Sequence, residues 1–320
     1  MIYDNIAIDS ANLFYRLLGD NRSVRACTKS MIKFIDDTTM AHLSKDGTLY
    51  ILFDPIPLSD LGESKSFKNV KPYRKEIDKD YKKGRTYSQY FPETMSLLLK
   101  YYAYRGEKIK LIYSQEYEAD DYVSSLVKSL EGTVALVTTD EDYCRYMSDR
   151  VFIINKGYDQ PMTKQDFYDK FKLYPTDASV TLYKAFFGDT SDNIQGAVFG
   201  RKVKFTTNIK KIVYNYIKEV SDNGWTLQEC IDKLNKTTFY DAMNAKTKDA
   251  FTVLFLELSC SQQKDEVYDR LMRNIKLIKS ALEGKDISKL THWNPVNEKM
   301  NSLVHQSIFG LDTRSWFGKK

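Results

Sequence analysis

The sequence predicts an α/β fold with a mainly parallel central sheet, followed by a mostly helical C-terminal region. The first half alternates short β-like runs with helical patterns, as expected when helices cover both faces of a parallel sheet. Several of these apolar runs end on acidic residues. From about Val198 onward the β-like runs fade and helical periodicity takes over.

The elements follow in chain order. Ile6-Ala7-Ile8 predicts a strand over Asn5–Asp9, and helical patterns predict helices over Ala11–Leu18 and Val24–Leu43. Leu49-Tyr50-Ile51-Leu52-Phe53 predicts a strand over Thr48–Asp54. Pro55–Tyr90 has no sustained period and much charge, and a connection that long within a compact domain is functional or disordered. A helix over Pro92–Arg105 then leads to a strand over Lys108–Ser114, and a helix over Tyr117–Leu130 to a strand over Thr133–Thr138. The periodicity continues with a helix over Glu141–Met147 and a strand over Val151–Asn155. Thr163-Lys164-Gln165-Asp166 and Pro175-Thr176-Asp177 read as helix starts. The division expected from this pattern is 1–195 for the α/β domain and 196–320 for the helical region and its tail.

At 320 residues the chain can bury a sizeable core, and 42% hydrophobic with 28% charged residues is ordinary for a soluble globular protein. No apolar stretch reaches membrane-spanning length, and Met1-Ile2-Tyr3-Asp4 lacks the features of a signal peptide, so cytoplasmic residence is expected. Cys27, Cys144, Cys230 and Cys260 are scattered without C-x-x-C spacing, which argues against a disulfide framework or a zinc site. His42, His292 and His305 are remote from the acidic motifs, so a histidine base is not expected.

The acids carry the chemistry. Asp9 and Asp54 end apolar runs, Glu118, Asp120 and Asp121 follow a third, and Asp140, Glu141 and Asp142 follow a fourth; Asp189 and Asp192 come later. In α/β sheets ligands collect beyond the carboxyl ends of the strands, so these side chains are expected to converge. Acids so gathered repel one another severely unless something divalent sits between them, and the simplest occupant is a pair of hard cations such as Mg²⁺. Singly, each acid also has a structural explanation: Asp9, Glu118 or Asp140 can cap a helix or favour its N-terminus. Helical spacing pairs Glu118 with Asp121 on one face. The net charge of +5 is uneven: nine basic residues against four acids between Glu63 and Arg85, and six basic residues without an acid between Val198 and Lys218. An acidic centre between two basic stretches suits a polyanion held across a metal site.

Tyr117-Glu118-Ala119-Asp120-Asp121, Thr139-Asp140-Glu141-Asp142-Tyr143 and Gly188-Asp189-Thr190-Ser191-Asp192-Asn193-Ile194 occur in that order. Together with Asp9 and Asp54 upstream, they resemble the signature of the 5′ nucleases: flap endonucleases, phage 5′–3′ exonucleases and phage ribonuclease H. The resemblance runs from about Ile6 to Ile209, with a fainter echo at Arg273–Ile278. It implies a PIN-like 5′ nuclease fold with a helical arch at about 56–90. It implies two Mg²⁺ or Mn²⁺ ions bound, directly or through waters, by Asp9, Asp54, Glu118, Asp120, Asp140, Asp142, Asp189 and Asp192. Asp121 then supports these ligands from behind or serves as a helix-terminus charge.

Tyr73-Arg74 and Tyr81-Lys82-Lys83-Gly84-Arg85 resemble the arch motif of the same family. The resemblance implies that Lys82 and Arg85 contact the scissile phosphate, with Arg74 in the same motif, and that Tyr81 stacks on a base near the cut. After Asn193, many members carry a glycine-rich helix–three-turn–helix that binds K⁺ and a duplex phosphate. Here Gly196-Ala197-Val198-Phe199-Gly200-Arg201-Lys202 is one glycine short, with Phe199 in the way, which leaves the K⁺ site doubtful. Duplex contacts are expected from Lys83, Arg201, Lys202 and Lys204, because phosphate binding needs charge more than shape.

The resemblance implies a metal-dependent 5′–3′ exonuclease or flap endonuclease with ribonuclease H-like activity, removing primers and flaps in phage replication. The expected substrates are DNA and RNA–DNA hybrids with 5′ ends or flaps, cut by a monomeric enzyme in the host cytoplasm. A single-strand-binding protein or clamp is a compatible partner, with Ser315-Trp316-Phe317 as a candidate docking tail. The alternative from another class is a non-catalytic nucleic-acid-binding protein on a nuclease fold. Its mark is loss of several metal ligands, and all eight are present.

Overall fold

The structure is a computed structural model and describes residues 1–20, 23–55, 73–84, 86–103, 105, 108–113, 116–197, 207–233, 264–280 and 282. A six-stranded sheet runs in the order β3-β2-β1-β4-β5-β6, from β1 (Tyr3–Asp9), β2 (Leu43–Leu52), β3 (Ile109–Ile112), β4 (Val134–Val137), β5 (Val151–Gly157) and β6 (Gln160–Met162). All pairings are parallel except β5–β6.

Alternation along each strand divides the core into two layers. Ile6, Ile8, Leu49, Ile51, Phe53, Ala135 and Val137 face one layer, completed by α1 (Ser10–Leu18), α2 (Val24–Lys33) and α4 (Phe91–Tyr102). Ala7, Tyr50, Leu52, Val134 and Leu136 face the other, beneath α5 (Ala119–Ser129) and α7 (Asp177–Phe187). That second layer also takes Phe167 of α6 (Lys164–Phe171), Val213, Tyr216 and Ile217 of α8 (Thr207–Asn223), and Leu227 of α9 (Leu227–Lys233). Val267, Leu271 and Ile275 of α10 (Lys264–Ile278) complete it, so helices on both sides of Gln195 share one cluster. A short helix, α3 (Arg74–Ile77), stands at the start of the basic segment 73–84.

Several elements differ from the sequence reading. The helix expected over Val24–Leu43 is α2, a π-helical stretch Phe34–Thr39 and a 3₁₀ turn Met40–His42. Periodicity cannot register that change, because Ile32, Ile35 and Thr39 stay buried throughout. β2 begins at Leu43 rather than Thr48, since its start pairs with Tyr3 across a register shift. Glu141–Tyr146 is a 3₁₀ helix. β6 was not foreseen, because three residues are too few to display alternation. Of the expected arch, 56–72 and Arg85 lie outside the described residues, as do Arg201, Lys202, Lys204 and the Ser315-Trp316-Phe317 tail.

Strand order reverses beside β1: the chain passes to β2 and β3 on one side, then returns to β4 and β5 on the other. A crevice at the carboxyl ends of β1 and β4 is the ligand position such a sheet provides.

Candidate active site

The acids reach this crevice through register and capping together. Asp9 is the last residue of β1 and lies opposite Leu52, two residues before Asp54. Ile8 lies opposite Val137, three residues before Asp140. Asp9 caps α1 by accepting the Asn12 amide at 2.9 Å, and Asp140 caps the 3₁₀ turn by accepting that of Asp142 at 2.9 Å. Glu118 and Asp121 form a reciprocal capping box at the start of α5. Ala119, the first residue of that helix, donates its amide to Asp54 at 2.9 Å. Capping and clustering are therefore one arrangement, because strand ends and helix starts coincide at the carboxyl edge.

Asp189 and Asp192 arrive from a tight ribbon, β7 (Gly188–Asp189) paired with β8 (Ile194–Gln195). Gly188 has φ +89°, and a Cβ there would meet the Gly196 nitrogen at 2.6 Å and the Ile194 carbonyl oxygen at 2.7 Å. Only glycine fits that position. The result is a cavity of about 770 Å³ lined by seven of the eight candidate acids: Asp9, Asp54, Asp120, Asp140, Asp142, Asp189 and Asp192. Glu118 sits buried behind it.

Among the described residues, basic side chains penetrate this cluster, so its negative charge is offset within the protein as well as by anything bound. Arg74, only 2% exposed, makes a bidentate pair with Asp120 at 3.0 and 2.9 Å, and reaches Glu118 at 2.6 Å and Asp121 at 2.9 Å. Lys82 donates to Glu118 Oε1 at 2.9 Å and stands 3.9 Å from Asp192. Lys184 bridges Asp142 and Asp189, the latter at 2.6 Å.

The base-stacking role expected of Tyr81 is corrected: the side chain is 2% exposed and turned inward. Its hydroxyl lies 2.9 Å from Glu118 Oε2 and 3.0 Å from Asp192 Oδ2, and accepts from Arg74 at 3.2 Å. Burial in an ion-pair network leaves no ring face for a base. Lys82 lines the cavity from a left-handed backbone position, φ +52°. Lys83 points to solvent and pairs with Asp80 at 2.9 Å.

Electrostatics divide the acids into two groups. Burial, then the charge of Asp54, pushes Asp9 up to about 7. Burial, then Asp142, pushes Asp140 up to about 6. Burial also raises Asp54 and Asp192, in both cases against the pull of Lys82. In Glu118 burial is overcome by Lys82 and Arg74, which hold it down to about 2. Asp189 is likewise lowered by Lys184 against its burial. Asp9 and Asp140 are thus the acids most in need of added positive charge.

Hard oxygen donors around a roomy cavity are the donor set for Mg²⁺ or Mn²⁺. Among the described residues no trio of acids, histidines or cysteines is already converged into a cage. Arg74 pairs with Asp120, and Lys184 with Asp142 and Asp189. An open lining still fits Mg²⁺, which keeps several waters and takes only one or two carboxylates directly.

Sequence reasoning assigned no role to three residues here. Tyr143 donates its hydroxyl to Asp9 Oδ2 at 3.0 Å; it stood inside a quoted motif. Arg145 follows Asp142 at helical i+3 spacing, and that spacing was its only signal. Lys184 had none beyond preceding Gly188-Asp189.

With this geometry in hand, comparison with known proteins is specific. The family model of the 5′-3′ exonuclease N-terminal resolvase-like domain matches residues 65–172, an interval containing Glu118, Asp120, Asp140 and Asp142. The 5′-3′ exonuclease of Buchnera aphidicola subsp. Schizaphis graminum is 28% identical over 243 residues, 71% of this chain and 77% of the relative. These similarities point to the 5′ nuclease family. A second relative, the 5′-3′ exonuclease of Aquifex aeolicus, is 26% identical over 225 residues, 69% of this chain and 74% of its own. The solved zinc-bound 5′-exonuclease of bacteriophage T5 superposes with a TM-score of 0.53 at 20% identity, covering 96% of this chain and 99% of that one. The phage T5 flap endonuclease, solved as a pseudo-enzyme-product complex with DNA and metal ions, gives 0.53 at 17% identity, over 96% and 98%. At these identities the likeness is one of fold, and the fold is the PIN-like 5′ nuclease fold.

Proposed function

We propose that this chain is a 5′ nuclease, a divalent-metal-dependent 5′–3′ exonuclease and flap endonuclease cutting phosphodiesters near the 5′ ends of DNA and RNA–DNA duplexes. The observation that carries the reading is the cavity at the carboxyl ends of β1 and β4, walled by seven carboxylates with Lys82 at its edge. Two exonuclease relatives and a phage T5 fold neighbour solved with DNA and metal ions support it. Asp9, Asp54, Asp120, Asp140, Asp142, Asp189 and Asp192, with Glu118 behind, are the residues to hold Mg²⁺ or Mn²⁺. When bound, two such ions supply an activated water and neutralise charge on the attacking and leaving oxygens.

The protein's own residues do the rest. Arg74 and Tyr81 fix Glu118, and Tyr143 orients Asp9. Lys82 exchanges its contact with Glu118 for the scissile phosphate, where a preorganised cation stabilises developing charge. The helical region from 196 onward is the duplex-binding part, through Arg201, Lys202 and Lys204, and primer and flap removal in replication is the role. Asp142→Asn or Asp120→Asn should abolish cleavage while flap binding stays within roughly tenfold, since phosphate contacts dominate affinity. Gel assays on labelled flap, nicked and RNA–DNA substrates, with Mg²⁺ or EDTA, test this; normal turnover by either variant sinks the reading.

A further inference from the structure

We propose that Arg145 is the positioning residue for Asp142, and that it takes its own place from the C-terminal end of α10, which also grips the base of the 73–84 segment. The inference deepens the reading above and rests on it.

Arg145 is 4% exposed, and its guanidinium is spent on three elements. Nε donates to the Asp142 carbonyl at 2.8 Å, while Nη2 lies 3.8 Å from the Asp142 carboxylate. Nη1 donates to Thr181 Oγ1 at 3.3 Å and lies 3.6 Å from Asp177, both on α7. It also donates to the carbonyl of Ile278 at 3.1 Å. Ile278 ends α10, and the last carbonyls of a helix have no intrahelical partner and carry partial negative charge. A buried arginine satisfies both needs.

The same helix end reaches two other stretches bearing site residues. The Tyr73 hydroxyl lies 3.2 Å from the carbonyl of Lys276 and 3.4 Å from that of Lys279, and Arg273 pairs with Asp78 at 3.5 Å. Ser280 donates its hydroxyl to the Asp121 carbonyl at 2.6 Å. One helix end thus holds the segment carrying Arg74 and Lys82, the helix start carrying Glu118 to Asp121, and, through Arg145, the turn carrying Asp142. A cavity of about 10 Å³ lies between Asp120, Asp142, Arg145 and Ser280, with room for one water at most.

Lysine keeps the charge of Arg145 but not its planar fork, so it cannot hold these partners at once. The test is Mn²⁺ binding by electron paramagnetic resonance without nucleic acid, alongside steady-state cleavage of a flap substrate. Arg145→Lys should weaken Mn²⁺ binding by about tenfold or more and lower kcat similarly, as for other groups that orient metal ligands, while KM stays nearly constant. Arg145→Met should weaken Mn²⁺ binding further, so that lysine is a partial rescue. Thr181→Val removes one anchor without touching the charge and should shift Mn²⁺ affinity the same way by severalfold; Ser280→Ala should do so through α10. If Arg145→Lys does not fold, Thr181→Val and Ser280→Ala decide. Wild-type Mn²⁺ affinity in folded Arg145→Lys, or in both of the latter variants, overturns the inference. A wild-type protein that neither binds Mn²⁺ nor cleaves overturns the nuclease reading instead.

Discussion

Replacing Arg74 with methionine tests whether the acid cluster is held by internal cations. Arg74 is buried against Glu118, Asp120 and Asp121, and Glu118 is held at about 2 against an ordinary 4.5 by Lys82 and Arg74 acting against burial. At about 1.4 kcal/mol per tenfold in proton affinity, that depression represents about 3 kcal/mol of native stability shared between the two cations. Stranding buried acids by removing one partner costs roughly 3–5 kcal/mol in comparable networks. Arg74→Met should therefore lose about 3–4 kcal/mol in urea unfolding at pH 7.5 in EDTA. The pH dependence follows from the sign. A carboxyl whose folded pKa is below its unfolded value stabilises fully above the unfolded value, and loses that stability as pH falls toward the folded one. The deficit of Arg74→Met should narrow as pH falls, because the acids stranded in the variant are relieved by protonation while the wild type loses Glu118 stability below about pH 4.5. A deficit under about 1 kcal/mol at pH 7.5, or one that widens between pH 5 and pH 3.5, refutes the reasoning.

Three other outcomes are expected. With Asp9 near 7 and Asp140 near 6, Mg²⁺ binding at pH 6.5 should expel about one proton, and almost none above pH 8.5. Calorimetry in buffers of unlike ionisation heat measures this, and identical heats at pH 6.5 would contradict it. Lys184 opposes the rise of Asp140, so Lys184→Met should carry the acid limb of the cleavage profile to higher pH; an unmoved limb counts against Lys184 as the local counter-ion. Gly188→Ala should cost about 2 kcal/mol or more, because strain at positive φ adds to backbone collision, whereas Gly224→Ala, at φ +66° in open space, should cost about 1. Equal unfolding midpoints for the two variants would show that the β7–β8 ribbon tolerates a side chain.

The sheet was largely legible before any coordinates. Runs such as Ile6–Ile8 and Leu49–Phe53 are local signals, and the five expected parallel strands all form, with shifted ends. The acids were legible for the same reason: a strand end followed by a helix start calls for a capping carboxylate, and Asp9, Glu118 and Asp140 meet that demand in a few residues. The arch-motif resemblance places Tyr81 against a base, while its buried hydroxyl lies beside Asp192, 111 positions away.

The amino-acid order by itself determined the five parallel strands, the acids at their carboxyl ends and the motifs that resemble the 5′ nucleases, because each is written within a few positions. Tertiary structure alone decided that Arg74 meets Glu118 across 44 positions, that Lys184 joins Asp142 to Asp189, and that Arg145 reaches the end of α10 across 133. Those pairings follow from chain crossings and from the burial that makes an unpaired charge costly, and no local pattern encodes them.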